Sequence, residues 1–312
     1  MNEPTYLDAA ARWLRRLIVL VVAGYAVAGW FGNGGTPRPG PGVRPVPAPD
    51  AARPAPLPPA PSPEAVSRRG VRYVDAAVAL PPVRGRIGFA ANRNEAGKTY
   101  VGTAFATHAG AVWATARHVV EGCRRIELRH GGSVTPVTGI VHDRAADLSL
   151  VYAPTGGALT AHADTPLPLD APGLDGFGMG FPGGTPASVH LSYLGRVAAQ
   201  SHDGTAGSRW SPGGLWQIEH SGLFDQPELG GISGGPLLDR DGALIGILVG
   251  GQPRRARAIS LDPANLAALL HATGDTPTRA GWHHAGLAPA NADAARQALV
   301  ARGLLALVVC RA

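Results

Sequence analysis

Three residues whose types can share nucleophilic catalysis occur in the chain order His118, Asp147, Ser233. Ser233 lies in Gly231–Asp239, GISGGPLLD, where small residues allow the turn that a nucleophile loop needs. Glycine at Gly231 also lets its N–H and that of Ser233 point together at a developing oxyanion. A histidine can take the serine proton, and a neighbouring acid can orient the imidazole. We therefore interpret the three residues as a catalytic triad.

Each of these signals has an ordinary alternative when it stands alone. A single histidine is usually structural, an acid before a strand is often a turn cap, and a Gly-rich segment is often a simple turn. His118, however, follows a predicted strand at the start of a short helical turn, in WATARHVVEGC. Asp147 directly precedes an alternating strand, in AADLSLVYAP. The three motifs together, each beside a strand pattern, favour the triad.

The elements that must position these residues are short strands. After the first 70 residues, apolar stretches recur at close spacing and are broken by Gly, Pro and Asp, which predicts a sandwich or barrel. Leu261–Thr273 is predicted to be a helix, with Asp262 as its cap and Gly274 at its end, closing the main domain. The tail is predicted to form a helix, Ala292–Arg302, followed by a strand, Leu304–Cys310.

Residues 88 to 265 resemble the trypsin-like, chymotrypsin-fold serine peptidases, and among them the bacterial periplasmic HtrA (Deg) branch. The segments that carry the resemblance are VGTAFATHAG, TARHVV, AADLSLV, GFPGG and GISGGPLLDRDGALIGI. The resemblance implies an all-β chymotrypsin-like fold, a double six-stranded antiparallel β-barrel. It also implies a serine endopeptidase that needs no cofactor and no metal and acts on protein or peptide substrates through an acyl-enzyme. In it His118 is the general base, Asp147 the orienting acid, Ser233 the nucleophile, and the Gly231 and Ser233 amides form the oxyanion hole.

The chain departs from these relatives in its regulatory parts. Ile232 precedes the nucleophile, so the buried acid that captures a newly cut N-terminus in digestive enzymes is missing. Activation by that proteolytic route is therefore not expected. The tail after Gly274 has 38 residues, too few for the PDZ domain of HtrA relatives.

Substrate is expected to pair as an added strand along the edge of Leu248–Gly251. Val249, Gly250 and Gly251 resemble an apolar pocket wall, and Pro227 stands where trypsin-like enzymes keep a pocket acid. We therefore expect small or aliphatic side chains before the cut. The basic cluster just after this wall is interpreted as a solvated loop rather than as a selector of acidic substrate or lipid; it contains Arg254, Arg255 and Arg257.

The N-terminal region has the composition of a membrane-inserting segment and a spacer. Three Arg precede the apolar run of residues 17–31, LIVLVVAGYAVAGWF, which predicts insertion into the lipid bilayer and export of the residues after it. We divide the chain into a leader with a transmembrane anchor or signal peptide, a Pro-rich disordered linker, a protease domain, and a helix–strand extension; these are residues 1–33, 34–69, 70–275 and 276–312. The predicted location is the bacterial inner membrane, single-pass, with the protease domain in the periplasm. If the Ala26–Ala28 site is cleaved, the protein is instead secreted or periplasmic.

Charge and cysteine content limit the partners. Residues 1–70 carry eight Arg and four acidic residues, which leaves +2 of the net charge of +6 for the rest, so nucleic-acid binding is not expected. Export permits a disulfide between Cys123 and Cys310, which would staple the tail beside the His118 helix. His271, His283 and His284 lack metal-ligand spacing.

Two alternatives to a peptidase remain. The first is a catalytically silent binding or scaffold protein with a protease fold. The intact triad and the glycine turn argue against it. The second is an esterase, which the His, Asp, Ser order and the absence of a G-x-S-x-G elbow around Ser233 disfavour. The sequence carries no signal for the oligomeric state.

Overall fold

The structure is a computed structural model that describes residues 70–91, 94–108, 111–154, 167–171, 173–202, 209–221, 229–275 and 286–312. The described residues all belong to one compact unit, Pro58–Ala312. Within those ranges, no helix is long and apolar enough to cross a membrane. The predicted membrane segment, residues 17–31, and the linker up to residue 69 lie outside the described residues.

The described part of the chain consists mainly of strands. The strands are β1 (Gly70–Val74), β2 (Arg86–Phe89), β3 (Thr99–His108), β4 (Val112–Thr115), β5 (Arg125–His130), β6 (Ser133–Pro136), β7 (Gly139–Asp143), β8 (Ser149–Tyr152), β9 (Asp175–Gly180), β10 (Ala187–Ser201), β11 (Ser211–Ser221), β12 (Pro236–Leu238), β13 (Leu244–Gln252), β14 (Arg257–Leu261) and β15 (Leu305–Arg311). The α-helices are α1 (Arg117–Val120), α2 (Pro263–Thr273) and α3 (Ala292–Ala301), and 3₁₀ turns span Pro182–Gly184 and Pro253–Arg255.

The strands form two sheets. The first has the order β1-β7-β8-β4-β3-β15-β5-β6, and the second has the order β11-β14-β13-β12-β9-β10-β2. Because β10 also pairs with β11, six strands of the second sheet close into a barrel, while the first sheet remains a half-barrel. The fold is the chymotrypsin-like double β-barrel that was predicted.

The predicted scheme of two six-stranded antiparallel barrels needs two adjustments. The sheets contain eight and seven strands rather than six each. In addition, β1 runs parallel to β7, and β2 runs parallel to β10. A parallel neighbour requires a long connection, and β1 and β2 come from the start of the domain, far in sequence from the strands they join.

The inner strands that carry the site are buried on both faces. All residues of β4, β7 and β8 are buried, including the polar ones, so these strands do not alternate between a buried and an exposed face. The aromatic centre of this core includes Trp113 and Tyr152, exposed by 0% and 1%. The ladder between β4 and β8 pairs Thr115 with Ser149, which fixes the relative positions of the segments just beyond these two residues.

The C-terminal residues are an inner part of the first sheet. The predicted helix and strand are present as α3 and β15, each with ends within one residue of the prediction. They were predicted as an extension after the protease domain. In the structure β15 lies between β3 and β5, where Val308 pairs with both Gly102 and Leu128.

The helix α2 follows its sequence signals. Asp262 caps it by accepting a hydrogen bond from the Ala264 N–H at 3.0 Å. Gly274 ends it in a left-handed conformation with φ +76°, and its N–H donates to the carbonyl of His271.

Candidate active site

The β4–β8 ladder brings His118 and Asp147 into contact. Thr115 and Ser149 are paired, and the two site residues lie just beyond them, three residues after the first and two before the second. The Nδ1 atom of His118 is 2.6 Å from Oδ2 of Asp147, and the backbone N–H of His118 donates to Oδ1 at 2.9 Å. The Asp147 carboxylate thus holds His118 through both oxygens. The ring nitrogen Nε2 faces away from the carboxylate.

The carboxylate of this pair is shielded from solvent. The Asp147 side chain is 1% exposed, whereas the His118 side chain is 11% exposed. A buried carboxylate that contacts an imidazole favours the protonated ring, because the two charges attract in a medium of low dielectric. The arrangement therefore suits a histidine that takes up a proton during a reaction.

Thr103 of β3 connects the first sheet to the loop that bears Ser233. Its N–H donates to the carbonyl of Ser233 at 2.9 Å. Its hydroxyl donates to the carbonyl of Gly231 at 2.8 Å and accepts from the N–H of Phe181 at 3.0 Å. The sequence analysis assigned VGTAFATHAG to an opening hairpin but did not predict this role of Thr103. A threonine in a strand gives no local indication that it contacts a residue 128 positions away.

Gly234 fits its position because a side chain has no room there. Its φ is +87°, and a Cβ atom would lie 2.2 Å from the carbonyl oxygen of Thr103. The Gly234 N–H donates to the carbonyl of Leu248 at 2.7 Å, and the Leu248 N–H donates to the carbonyl of Gly235 at 2.9 Å. Both backbone groups of Leu248 are thus engaged by the nucleophile loop. The predicted substrate edge, Leu248–Gly251, therefore begins only after Leu248.

The peptide before Gly231 has a defined orientation. The carbonyl of Gly230 accepts a hydrogen bond from the Gly183 N–H at 2.6 Å. The described peptide bonds are trans, so the N–H of Gly231 points opposite to that carbonyl and away from Gly183. Gly231 has φ +99°, and a Cβ atom there would lie 2.5 Å from the carbonyl oxygen of Phe181. Only glycine fits this conformation without a shift of the backbone.

Two amides of the nucleophile loop have no acceptor among the described residues, namely those of Gly231 and Ser233. Their neighbours do have one: Ile232 donates to the Leu229 carbonyl at 3.0 Å, and Gly235 donates to the Ile232 carbonyl at 2.9 Å. Buried backbone N–H groups in proteins are almost always paired, so two exceptions at Gly231 and Ser233 call for an explanation. These two are the amides that the sequence assigned to the oxyanion hole.

One cleft of about 350 Å³ is lined by six of the predicted site residues, namely His118, Gly231, Ser233, Val249, Gly250 and Gly251, but not by Asp147, Cys123 or Cys310. Its lining comprises Ala90, Asn94, Tyr100, Val101, His118, Val119, Leu229, Gly230, Gly231, Ile232, Ser233, Val249, Gly250, Gly251, Pro253 and Arg257. The residues of the predicted wall, Val249 to Gly251, thus lie on the same cleft as Ser233. The space beside Gly250 is occupied by Phe89, whose Cδ2 would lie 2.7 Å from an added Cβ.

Other predicted features fall in different places. Arg254 and Arg255 are exposed on the 3₁₀ turn, as expected of a solvated loop, but Arg257 of the same cluster lines the cleft. Pro227, His283 and His284 lie outside the described residues.

Asn94 is a residue of the cleft that sequence reasoning missed. Its Nδ2 donates to the carbonyl of His118 at 3.1 Å and to that of Glu121 at 2.7 Å. The last carbonyls of a helix have no partner within the helix, so this amide satisfies the end of α1 and holds the segment that carries His118. No local pattern identifies such a residue, because it lies 24 positions from His118.

A disulfide joins Cys123, just after α1, to Cys310 of β15, with a Cα–Cα distance of 5.5 Å. It therefore fastens the C-terminal strand beside the helix of His118, at the place where the sequence predicts a staple.

His142 is a buried histidine next to the His118–Asp147 pair. Its Nδ1 is 2.7 Å from Oγ of Ser149. Burial, assisted by the positive charge of Arg117 and opposed by the negative charge of Asp147, lowers the pKa of His142 to about 4. The side chain is therefore neutral at physiological pH.

Residues 102–247 match the family model for the trypsin-like peptidase domain. The matched segment contains His118, Asp147 and Ser233. The match supports a serine protease function.

No curated protein matches the chain. Among solved structures, the active form of the Rv3671c protease from M. tuberculosis is 19% identical, with a TM-score of 0.47, covering 66% of this chain and 98% of that chain. The inactive form of the Rv3671c protease is 20% identical, with a TM-score of 0.45, covering 55% of this chain and 86% of that chain. The HtrA-type protease AlgW with a decapeptide is 18% identical, with a TM-score of 0.41, covering 55% of this chain and 52% of that chain.

Proposed function

We propose that the chain is a serine endopeptidase that hydrolyses peptide bonds of exported or periplasmic proteins. The observation that carries the proposal is the contact of both Asp147 oxygens with His118, beside a cleft that is also lined by Ser233. The amides of Gly231 and Ser233, which have no acceptor among the described residues, supply the second requirement of acyl transfer, which is a site for the oxyanion.

The proposed reaction proceeds in two halves. Nε2 of His118 takes the Ser233 hydroxyl proton as Oγ attacks the substrate carbonyl, and Asp147 stabilises the resulting imidazolium. The N–H groups of Gly231 and Ser233 donate to the oxyanion. The imidazolium then protonates the leaving amine, and the acyl-enzyme remains. Water, deprotonated by His118, resolves the acyl-enzyme and releases the serine.

The substrate is proposed to lie as an extended strand against Val249–Gly251. This segment of β13 pairs with β14 on one side. On the other side, β12 pairs only with the preceding part of β13 and reaches no further than Pro236, which lies opposite Ile247. A strand added to the other side would continue the ladder and bring its carbonyl carbon to Ser233.

The proposed location is the periplasmic face of the bacterial inner membrane. Residues 17–31 would serve as the anchor and residues 34–69 as an extended tether; after signal cleavage the same domain would be secreted or periplasmic. The basic residues before the apolar run support this orientation. Digestion of spheroplasts with added protease, followed by detection of an N-terminal and a C-terminal tag, tests it. An undigested C-terminal tag would contradict the proposal.

The activity is tested by labelling the purified full chain with a fluorophosphonate probe, which reacts with an activated serine. We expect the wild type to be labelled and both Ser233→Ala and His118→Ala to be unlabelled, with thermal unfolding curves showing that all three are folded. The alternative of a catalytically silent binding protein would be favoured by a folded wild type that takes up no probe.

A further inference from the structure

The described lining of the cleft contains one cation that the proposed triad does not use. Arg257 is the first residue of β14 and lines the cleft together with Ser233 and Gly251. In the described part of the chain its side chain makes no ion pair and no hydrogen bond. It is partly buried, whereas Arg254 and Arg255 beside it are exposed. A partly buried guanidinium without a counter-charge is unusual, because burial removes water that its charge needs.

No acidic side chain balances this charge within the cleft, as far as its described lining goes. The lining contains neither Asp nor Glu. The nearest acid along the neighbouring strand β11 is Glu219, which is exposed and forms no ion pair with Arg257 in the structure. Among the described lining residues, Arg257 is therefore the one permanently charged side chain, and it lies on the same cleft as the proposed nucleophile.

The position of Arg257 relates it to one part of a bound peptide. Its carbonyl oxygen would lie 2.9 Å from a Cβ atom at Gly251, so it adjoins the end of the segment along which substrate is proposed to pair. Glycine at this position adds no side chain between the paired strand and the guanidinium. A substrate residue whose carbonyl faces Ser233 would place its side chain in the cleft that Ser233, Gly251 and Arg257 line together.

The partner of Arg257 in the ladder can orient it. Gln252 lies opposite Arg257 in the β13–β14 pairing, and its buried Oε1 has no partner among the described residues. That oxygen can accept one N–H of the guanidinium, which has five donors in a planar fork. The remaining N–H groups would then be available to a ligand in the cleft that Arg257 lines.

We propose that Arg257 selects substrates with Glu or Asp immediately before the cleaved bond; this inference rests on the endopeptidase function proposed above. A carboxylate pairs with guanidinium through two parallel hydrogen bonds and neutralises it. An aliphatic side chain would cover the guanidinium and remove its water without replacing it. The acidic preference therefore replaces the small or aliphatic one that the sequence predicted.

The experiment compares fluorogenic peptides that are identical except for Glu, Gln, Val or Lys before the cut, using the full chain. We expect kcat/KM for Glu to exceed that for Gln by about 10- to 100-fold, the range expected of a hydrogen-bonded charge pair. Arg257→Gln should remove the preference, and Arg257→Glu should transfer it to Lys. Arg254→Gln is the matched control, since Arg254 belongs to the same basic cluster but is exposed and does not line the cleft.

Labelling by the fluorophosphonate probe separates the two proposals, because the probe has no peptide side chain. Wild type that is labelled but cleaves the Val peptide as well as the Glu peptide overturns the acidic preference and leaves the endopeptidase standing. Wild type that is folded and unlabelled overturns both. If Arg257→Gln loses labelling, Arg257 acts on the nucleophile loop rather than on selection, and the inference fails.

Discussion

The backbone N–H of Gly183 donates a hydrogen bond of 2.6 Å to the carbonyl oxygen of Gly230. Gly183 belongs to the 3₁₀ turn Pro182–Gly184 and adopts φ +60°, which glycine permits. The bond turns the Gly230 carbonyl away from the cleft, and the next N–H, that of Gly231, therefore points the other way. The GFPGG motif thus sets the orientation of the peptide on which the proposed oxyanion hole depends.

Gly231→Ala should lower kcat by about 10²- to 10³-fold, the usual cost of losing one oxyanion donor. An added Cβ would lie 2.5 Å from the Phe181 carbonyl, so the peptide must rotate and its N–H must move. Gly230→Ala is the control, because a Cβ there meets nothing within 4 Å. Steady-state kinetics on one peptide measures both. Equal losses in the two variants would argue against the assigned role of the Gly231 amide.

Asp147→Asn should lower kcat by about 10³- to 10⁴-fold while the chain remains folded. The amide has nearly the shape of the carboxylate, but it cannot accept from both His118 donors or stabilise the imidazolium. Asp143→Asn is a suitable control: Asp143 is also buried, four residues away, and its Oδ1 accepts from the N–H groups of Ala76 and Ala145 rather than from His118. Active-site labelling rates should fall only in the Asp147 variant.

Much of the site was predictable because its signals are local. His118, Asp147 and Ser233 each lie in a short motif next to a strand, and the capping residues of α2 mark that helix directly. Each motif and each capping interaction involves residues only a few positions apart, so the residue types alone predict them. The sequence does not predict which distant segment each motif contacts in the fold.

The unpredicted features depend on contacts between remote parts of the chain. The strand β15 pairs with β3, about 200 positions earlier in the chain. The alternating pattern of β15 predicts a strand but does not predict which other strand it pairs with. Asn94 and Thr103 form hydrogen bonds with backbone carbonyls, which every residue has. No sequence pattern therefore indicates which residues they contact. Arg257 was interpreted as one of three solvated arginines, because the sequence does not tell which of them begins a strand beside the cleft.

Asn94→Asp should reduce both stability and kcat. The amide nitrogen of Asn94 donates to the carbonyl of His118 in α1 and to that of Glu121 just after it, and a carboxylate at the same place would repel those oxygens instead. We expect a loss of about 1 to 3 kcal/mol in the free energy of unfolding, as for a buried acceptor left without its donor. Asn94→Ala, which loses the donor without adding a charge, should cost less. Urea titration measures the free energy of unfolding of the wild type and both variants. If Asn94→Asp were as stable as the wild type, the role of Asn94 as a donor to these carbonyls would be refuted.

Removal of the disulfide should lower stability by about 2 to 5 kcal/mol, because the bond constrains an unfolded chain across a separation of 187 residues. Cys123 and Cys310 are the two cysteines of the chain. A reductant should therefore lower the melting temperature of the wild type and leave Cys123→Ala/Cys310→Ala unchanged, with the reduced wild type melting close to the double variant. A reduced wild type that melts like the oxidised one would show that the bond contributes little.

His142 should make the protein less stable as the pH falls below neutrality. Its pKa is about 4 in the folded state and near 6.5 when unfolded, so the unfolded chain binds the proton more readily. The contribution of the neutral side chain to stability is complete above about pH 6.5. It is lost as the pH falls towards 4, by about 3 kcal/mol. His142→Gln should flatten this slope in urea titrations between pH 7 and 4.5. His271→Gln, at an exposed position in α2, should leave the slope unchanged; a slope that His142→Gln does not alter would assign the acid sensitivity to other groups.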